Sequence, residues 1–132
     1  VEFRRVETQL APATSAALRL GQMRQVARER FVARMTKNSG SVEELRLIPQ
    51  PLYRYDECPD GVIDGAMFAY AVGTDPEVLL IMEVREGESG HELYAAFGSA
   101  TSNPAEGDFD GESIWSNAAE RSKGTFVMYI LN

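Results

Sequence analysis

Leu20-Gly21-Gln22-Met23-Arg24-Gln25-Val26-Ala27-Arg28-Glu29-Arg30-Phe31-Val32-Ala33-Arg34-Met35-Thr36-Lys37-Asn38-Ser39-Gly40 is the stretch whose periodicity decides the fold. Leu20, Met23, Ala27, Phe31 and Met35 recur at spacings of three and four. That places them on one stripe of an α-helix and leaves the arginines largely on its other faces. Pro12 and the Ser/Thr positions around it break the preceding chain. Thr14 or Ser15 suits an N-cap, because a side-chain oxygen there accepts from the free amides of the first turn. Gly21 lowers helix propensity by up to about 1 kcal/mol relative to alanine, so the helix bends or begins near it. Lys37-Asn38-Ser39-Gly40 supplies a cation for the last turn and then residues that tolerate the left-handed conformation. The pattern predicts a basic helix over residues 15–37, regular over about 20–36.

Residues 1–14 before it read as an extended arm, with a loose alternation up to Leu10 that suits a short strand. After Gly40 the period is two. Leu45 and Leu47 alternate with Arg46 and Ile48; Pro49-Gln50-Pro51 lacks two ladder donors and so marks an edge, a bulge or a crossover. Leu52-Tyr53-Arg54-Tyr55 resumes extended structure, with both tyrosines on one face and Arg54 on the other. Asp56–Asp64 reads as a loop, after which Ala66, Phe68, Tyr70 and Val72 share a face. Gly73-Thr74-Asp75-Pro76 reads as a turn, Val78–Val84 as a central strand, Gly87–Gly90 as a hairpin turn and His91–Thr101 as a further strand. A loop over Asn103-Pro104 and Glu106-Gly107, a tight turn at Asp110-Gly111, a short strand at Ile114-Trp115 and a last strand at Phe126–Leu131 complete the order. Regularly spaced strand signals with no helical pattern between them predict an antiparallel meander over residues 42–132. The predicted fold class is α+β, one N-terminal amphipathic helix packed on a curved antiparallel sheet of about five to six strands. By shape this is similar to cystatin-like and related rolls.

A chain of 132 residues fits one domain, and 44% apolar against 25% charged residues builds a core without disulfides or metals. The single cysteine, Cys58, excludes an internal disulfide and favours a reducing compartment. Val1-Glu2-Phe3-Arg4-Arg5 has no apolar leader, and the longest apolar run, Val78–Met82, is too short to cross a bilayer. The expectation is a cytoplasmic protein with no membrane partner. The net charge of −7 conceals a division. Residues 15–37 carry six basic side chains against Glu29 alone, whereas residues 38–132 carry five basic against seventeen acidic ones. Such asymmetry suits a nucleic-acid surface, but also a basic element that docks on an acidic one within the fold. The second reading is preferred, because there is no helix-turn-helix partner and the acidic remainder repels phosphate.

Glu106-Gly107-Asp108-Phe109-Asp110-Gly111-Glu112 crowds four carboxylates into seven residues. Counted from Glu106 it follows a calcium loop through Gly111, but Asn117 stands where the bidentate glutamate belongs, so a surface hairpin is expected. One histidine, His91, and one cysteine make no Cys/His zinc cluster, and neither sits in a nucleophile motif. Gly87-Glu88-Ser89-Gly90 lacks the lysine and following helix of a phosphate loop. No metal, cofactor or catalytic residue is expected. Ala66, Ala69, Ala71, Ala95, Ala96, Gly98 and Ala100 either let the helix approach closely or leave a cavity. For a cavity, the candidate ligand-binding residues are Tyr53, Arg54, Tyr55, Asp64, Tyr70 and Trp115, with Tyr94 beside them.

The stretch Leu45–Tyr55, with Asp64-Gly65-Ala66-Met67-Phe68-Ala69-Tyr70 and Gly73-Thr74-Asp75-Pro76-Glu77-Val78-Leu79-Leu80, resembles an uncharacterised family of bacterial proteins, chiefly from planctomycetes. Ile114-Trp115-Ser116 resembles that family's late Val-Trp-Ser element, and the likeness covers about residues 20–117. The family's following Asn-, Pro- and Arg-rich segment is at best altered here, at Asn117-Ala118-Ala119-Glu120-Arg121. The resemblance implies that the Pro-Gln-Pro crossover and the Tyr-Arg-Tyr strand are integral to the fold, and it implies no activity.

The leading functional expectation is a non-catalytic binding or protein-interaction domain, self-associating as a homodimer through an exposed apolar sheet face. The alternative is a small-ligand-binding protein or enzyme with a pocket between helix and sheet. Nucleic-acid binding through the arginine-rich helix ranks third.

Overall fold

The computed structural model describes residues 2–7, 11–88 and 90–118. In chain order these form β1 (Arg4–Val6), α1 (Ala16–Arg30), β2 (Phe31–Thr36), β3 (Val42–Glu44), β4 (Arg46–Leu47), β5 (Tyr53–Arg54), β6 (Val62–Val72), β7 (Asp75–Gly87), β8 (Gly90–Ser99), β9 (Ala105–Phe109) and β10 (Glu112–Ser116). The expected last strand, Phe126–Leu131, lies outside the described residues.

The frame is a curved antiparallel sheet in the order β1-β8-β7-β6-β4, with β5 also paired to β6. Its three long strands, β6, β7 and β8, are buried on both faces over much of their length. Ala66, Phe68 and Tyr70 of β6, Val78, Leu80, Met82 and Val84 of β7, and Leu93, Ala95 and Phe97 of β8 form one buried face. α1 packs on that face. Met23 and Ala27 are buried beneath it, and the Tyr70 hydroxyl donates to the Ala27 carbonyl at 2.7 Å. The fold is thus one helix against a curved antiparallel sheet, an α+β arrangement as the sequence predicts.

Several elements differ from the sequence reading: β6 already begins at Val62, within the expected Asp56–Asp64 loop, and β7 at Asp75, within the expected Gly73–Pro76 turn. The helix ends at Arg30, not Lys37, and Phe31 is already extended. Phe31, Ala33 and Met35 are buried while Val32, Arg34 and Thr36 are half-buried, which is strand alternation. A four-residue spacing such as Phe31 to Met35 fits both a helix face and every second residue of a strand, so the stripe ran past the true boundary. Lys37-Asn38-Ser39-Gly40 is accordingly the β2–β3 hairpin. The Lys37 amide donates to Ser41 at 2.8 Å, and Gly40 takes φ +92°, a conformation open to glycine.

The strands also divide between two sheets. β10-β9-β2-β3 forms a second antiparallel sheet, and Glu106-Gly107, expected in a loop, lies within β9. The chain passes between sheets at buried Leu45, whose amide still donates to Ala33 of β2 at 2.8 Å. Pro49-Gln50-Pro51 is the crossover between β4 and β5, both of which pair with β6. Phe97 joins the sheets: Phe31 meets it edge-on at 5.5 Å, and Trp115 stacks on it at 5.4 Å. Gly107 lies directly against its ring, where a Cβ would come within 2.4 Å.

Candidate functional site

Two of the six candidate ligand residues meet. Arg54 and Asp64 lie on the helix-facing side of the first sheet, near the start of α1. Arg54 Nε donates to Asp64 Oδ1 at 2.8 Å, and its Nη2 to Oδ2. Arg19 of α1 donates through Nε to Oδ2 at 2.8 Å, and the Gly65 amide donates to Oδ1 at 2.8 Å. The Asp64 side chain is only 7% exposed. Burial alone would raise its pKa, but the hydrogen bonds from Arg54 and Arg19 outweigh it and hold the carboxyl below its ordinary value. A carboxylate so paired fixes helix to sheet and is not poised to move protons. The sequence carried a sign of this. Arg19 is in line with Met23 and Ala27 at i, i+4 and i+8, so a charge stands in the buried stripe and needs a buried partner.

The other four candidates point elsewhere. Tyr53 and Tyr55 lie on the opposite face of the sheet, their rings 6.0 Å apart. Tyr55 covers Gly65 and donates its hydroxyl to the buried Glu83, which also accepts from Arg85 at 2.8 Å. Burial, then the bond to Glu83, pushes the phenol far above its usual range, so it stays protonated. Tyr70 and Trp115 belong to the core between helix and sheets. The six residues do not line a common cavity.

A cleft does lie between α1 and the first sheet, but it uses other residues. Its volume is about 590 Å³ and it opens to solvent. Val26 of α1 stands half-buried in its wall, and Met23 of α1 with Val84 and Leu93 of the sheet, nearly all of their surface already packed in the core, form its floor. Arg19 and Arg30 mark its two ends along the helix, roughly 16 Å apart at the helical rise. Glu7, Pro12, Gln22, Gln25 and Glu29 complete the lining. Helix side chains fasten the arm beside it by its main chain. Arg19 Nη1 donates to the Thr14 carbonyl at 2.7 Å, Gln22 accepts from the Ala13 amide at 2.7 Å, and Arg30 donates to the Glu7 carbonyl. None of the cleft's aliphatic residues was a candidate from sequence, because aliphatic side chains at helix and strand spacing read only as core.

The remaining constellations are structural. Asp108 is gripped by Arg34 at 2.7 and 2.8 Å, and Asp110 by Arg30 at 3.0 and 2.7 Å. The acid-rich segment is therefore a hairpin pinned to α1 and β2, turning at Asp110 and Gly111 with φ +51° and +84°. Among the described residues no group of three or more His, Cys, Asp or Glu side chains is placed to hold a metal ion. His91 pairs across the β7–β8 hairpin with Glu86. Partial burial, then the Asp64 and Glu83 carboxylates, raise the Cys58 thiol and disfavour its nucleophilic form. No helix among the described residues is long and apolar enough to cross a membrane. Compared with protein-family models, curated proteins and solved structures, the chain matches none, so the cleft must be read from its own chemistry.

Proposed function

We propose that this chain is a non-catalytic binding domain that takes a small apolar ligand in the cleft between α1 and the six-stranded sheet. The observation that carries this reading is the cleft itself. About 590 Å³ lies within the range of small-molecule sites, and its aliphatic floor is ringed by polar and charged side chains that can orient a ligand. Asp64 and Tyr55, the acid and the phenol among the candidate residues, are engaged in structural pairs with Arg19, Arg54 and Glu83, which supports binding without turnover. A protein-docking face has less support. Among the described residues, the large hydrophobic side chains left exposed, Leu18, Val42 and Leu52, sit on α1, on β3 and in the crossover, on three separate segments.

Titration with the neutral dye Nile red tests the proposal. Wild-type protein should give saturable enhancement of dye emission. Val26→Trp, which fills the cleft from the helix side, should weaken binding at least tenfold while circular dichroism stays unchanged. Equal dye binding by the two proteins contradicts the reading.

A further inference from the structure

We infer that the ligand is an aliphatic carboxylate, its head beside Arg19 and its chain lying along Met23 and Val26 over Val84 and Leu93. This rests on the cleft being a binding site, and names what it would select. The aliphatic chain follows from the lining. Among the described residues no aromatic side chain borders the cleft, so these residues offer planar rings and sugars no stacking partner. The thioether of Met23 adapts to a flexible chain, and the stripe along α1 runs for three helical turns, a long and narrow shape.

The anionic head follows from charge. Two guanidinium groups, Arg19 and Arg54, share the single carboxylate of Asp64, which leaves one positive charge in excess at that end. Arg19 uses Nε on Asp64 and Nη1 on the arm carbonyls; among the described residues its Nη2 has no hydrogen-bond partner. That group is available to a ligand oxygen, and a carboxylate accepts from guanidinium in a charge-assisted bond. The other end differs. Arg30 is matched by Asp110, Glu7 by Arg5 and Glu29 by Arg28, so that end carries no positive charge in excess to hold an anion. The field along the cleft thus sets the direction of the ligand as well as its charge.

The test is a calorimetric titration of the wild-type chain with octanoate, decanoate and dodecanoate, then with 1-decanol and decylamine, each repeated on Val26→Trp. Burial of successive methylenes predicts about a fourfold gain in affinity per added CH₂. Decanoate should bind roughly tenfold tighter than 1-decanol, decylamine should bind weakest, and Val26→Trp should remove the gradient. Affinity independent of chain length, or equal for acid and amine, overturns the inference. So does a short apolar peptide that outcompetes decanoate. Nile red binding that Val26→Trp abolishes, without any binding of the acids, overturns this inference and leaves the cleft reading standing. If neither dye nor acid responds to Val26→Trp, both are wrong.

Discussion

Asp64 remains charged inside the fold because Arg54 and Arg19 meet both its oxygens from two different elements. Asp64→Asn keeps the shape but leaves two guanidinium groups without their counterion. The expected cost is about 3 kcal/mol at neutral pH, read as a lower urea midpoint, in line with removing one partner of a buried pair. The folded pKa is depressed below the ordinary 3.8, so the carboxylate's contribution is present above that value and is lost as pH falls through the folded pKa. The stability gap between wild type and Asp64→Asn should therefore be constant from pH 7 to about 5 and close below about pH 4. A gap that stays constant down to pH 2 would show that the pairing contributes little. At this scale the sequence was half legible. Arg54 in a strand and Asp64 at the end of a loop stood out as candidate charges, but Arg19 was absorbed into a general basic helix. Its partner lies 45 positions away, and only the sheet register brings the two together.

Local pattern decides most elements, and fails where two periods coincide. β6, β7 and β8 are buried along most of their length, as long apolar strands are, and short connections after Val72 and Gly87 separate them. The α1–β2 junction has no such punctuation. No glycine or proline marks it, and only the β-branched Val32 and Thr36 favour extension there. The division into two sheets was illegible for another reason: it is fixed by Phe97 packing on Gly107, a contact between residues ten apart that alternation cannot express. Two glycine substitutions separate these effects. Gly107→Ala forces a Cβ against a ring held between Phe31 and Trp115, and should cost about 1–3 kcal/mol. Gly21→Ala, in the exposed helix with nothing within 4 Å, should instead stabilise by up to about 1 kcal/mol. Thermal melts of both variants check the signs, and the same sign for both would refute this account of the junction between sheets.

Across the whole molecule the charge asymmetry is used internally. Arg19, Arg30 and Arg34 reach Asp64, Asp110 and Asp108, tying α1 and β2 to β6, β9 and the β9–β10 turn. Asp108 and Asp110 are both held below their ordinary pKa, by hydrogen bonds from Arg34 and Arg30 respectively. Arg30 and Arg34 are both half-buried, and Asp110 is more exposed than Asp108, so the pairs are only partly screened and 1 M NaCl should lower the melting temperature by only a few degrees. A collapse of the fold in salt would mean that ion pairs, not the Phe97-centred core, hold the sheets together. The proposed ligand site is the cleft along the flank of this helix, with Arg19 at one end. Methyl-resolved NMR of the labelled protein during titration with decanoate tests that claim most directly. The account predicts saturable shifts at Met23, Val26, Val84 and Leu93, with little change at Met67, Leu79 and Ile81 on the opposite face of the sheet. Shifts confined to that opposite face, or none at any of these methyls, would contradict it.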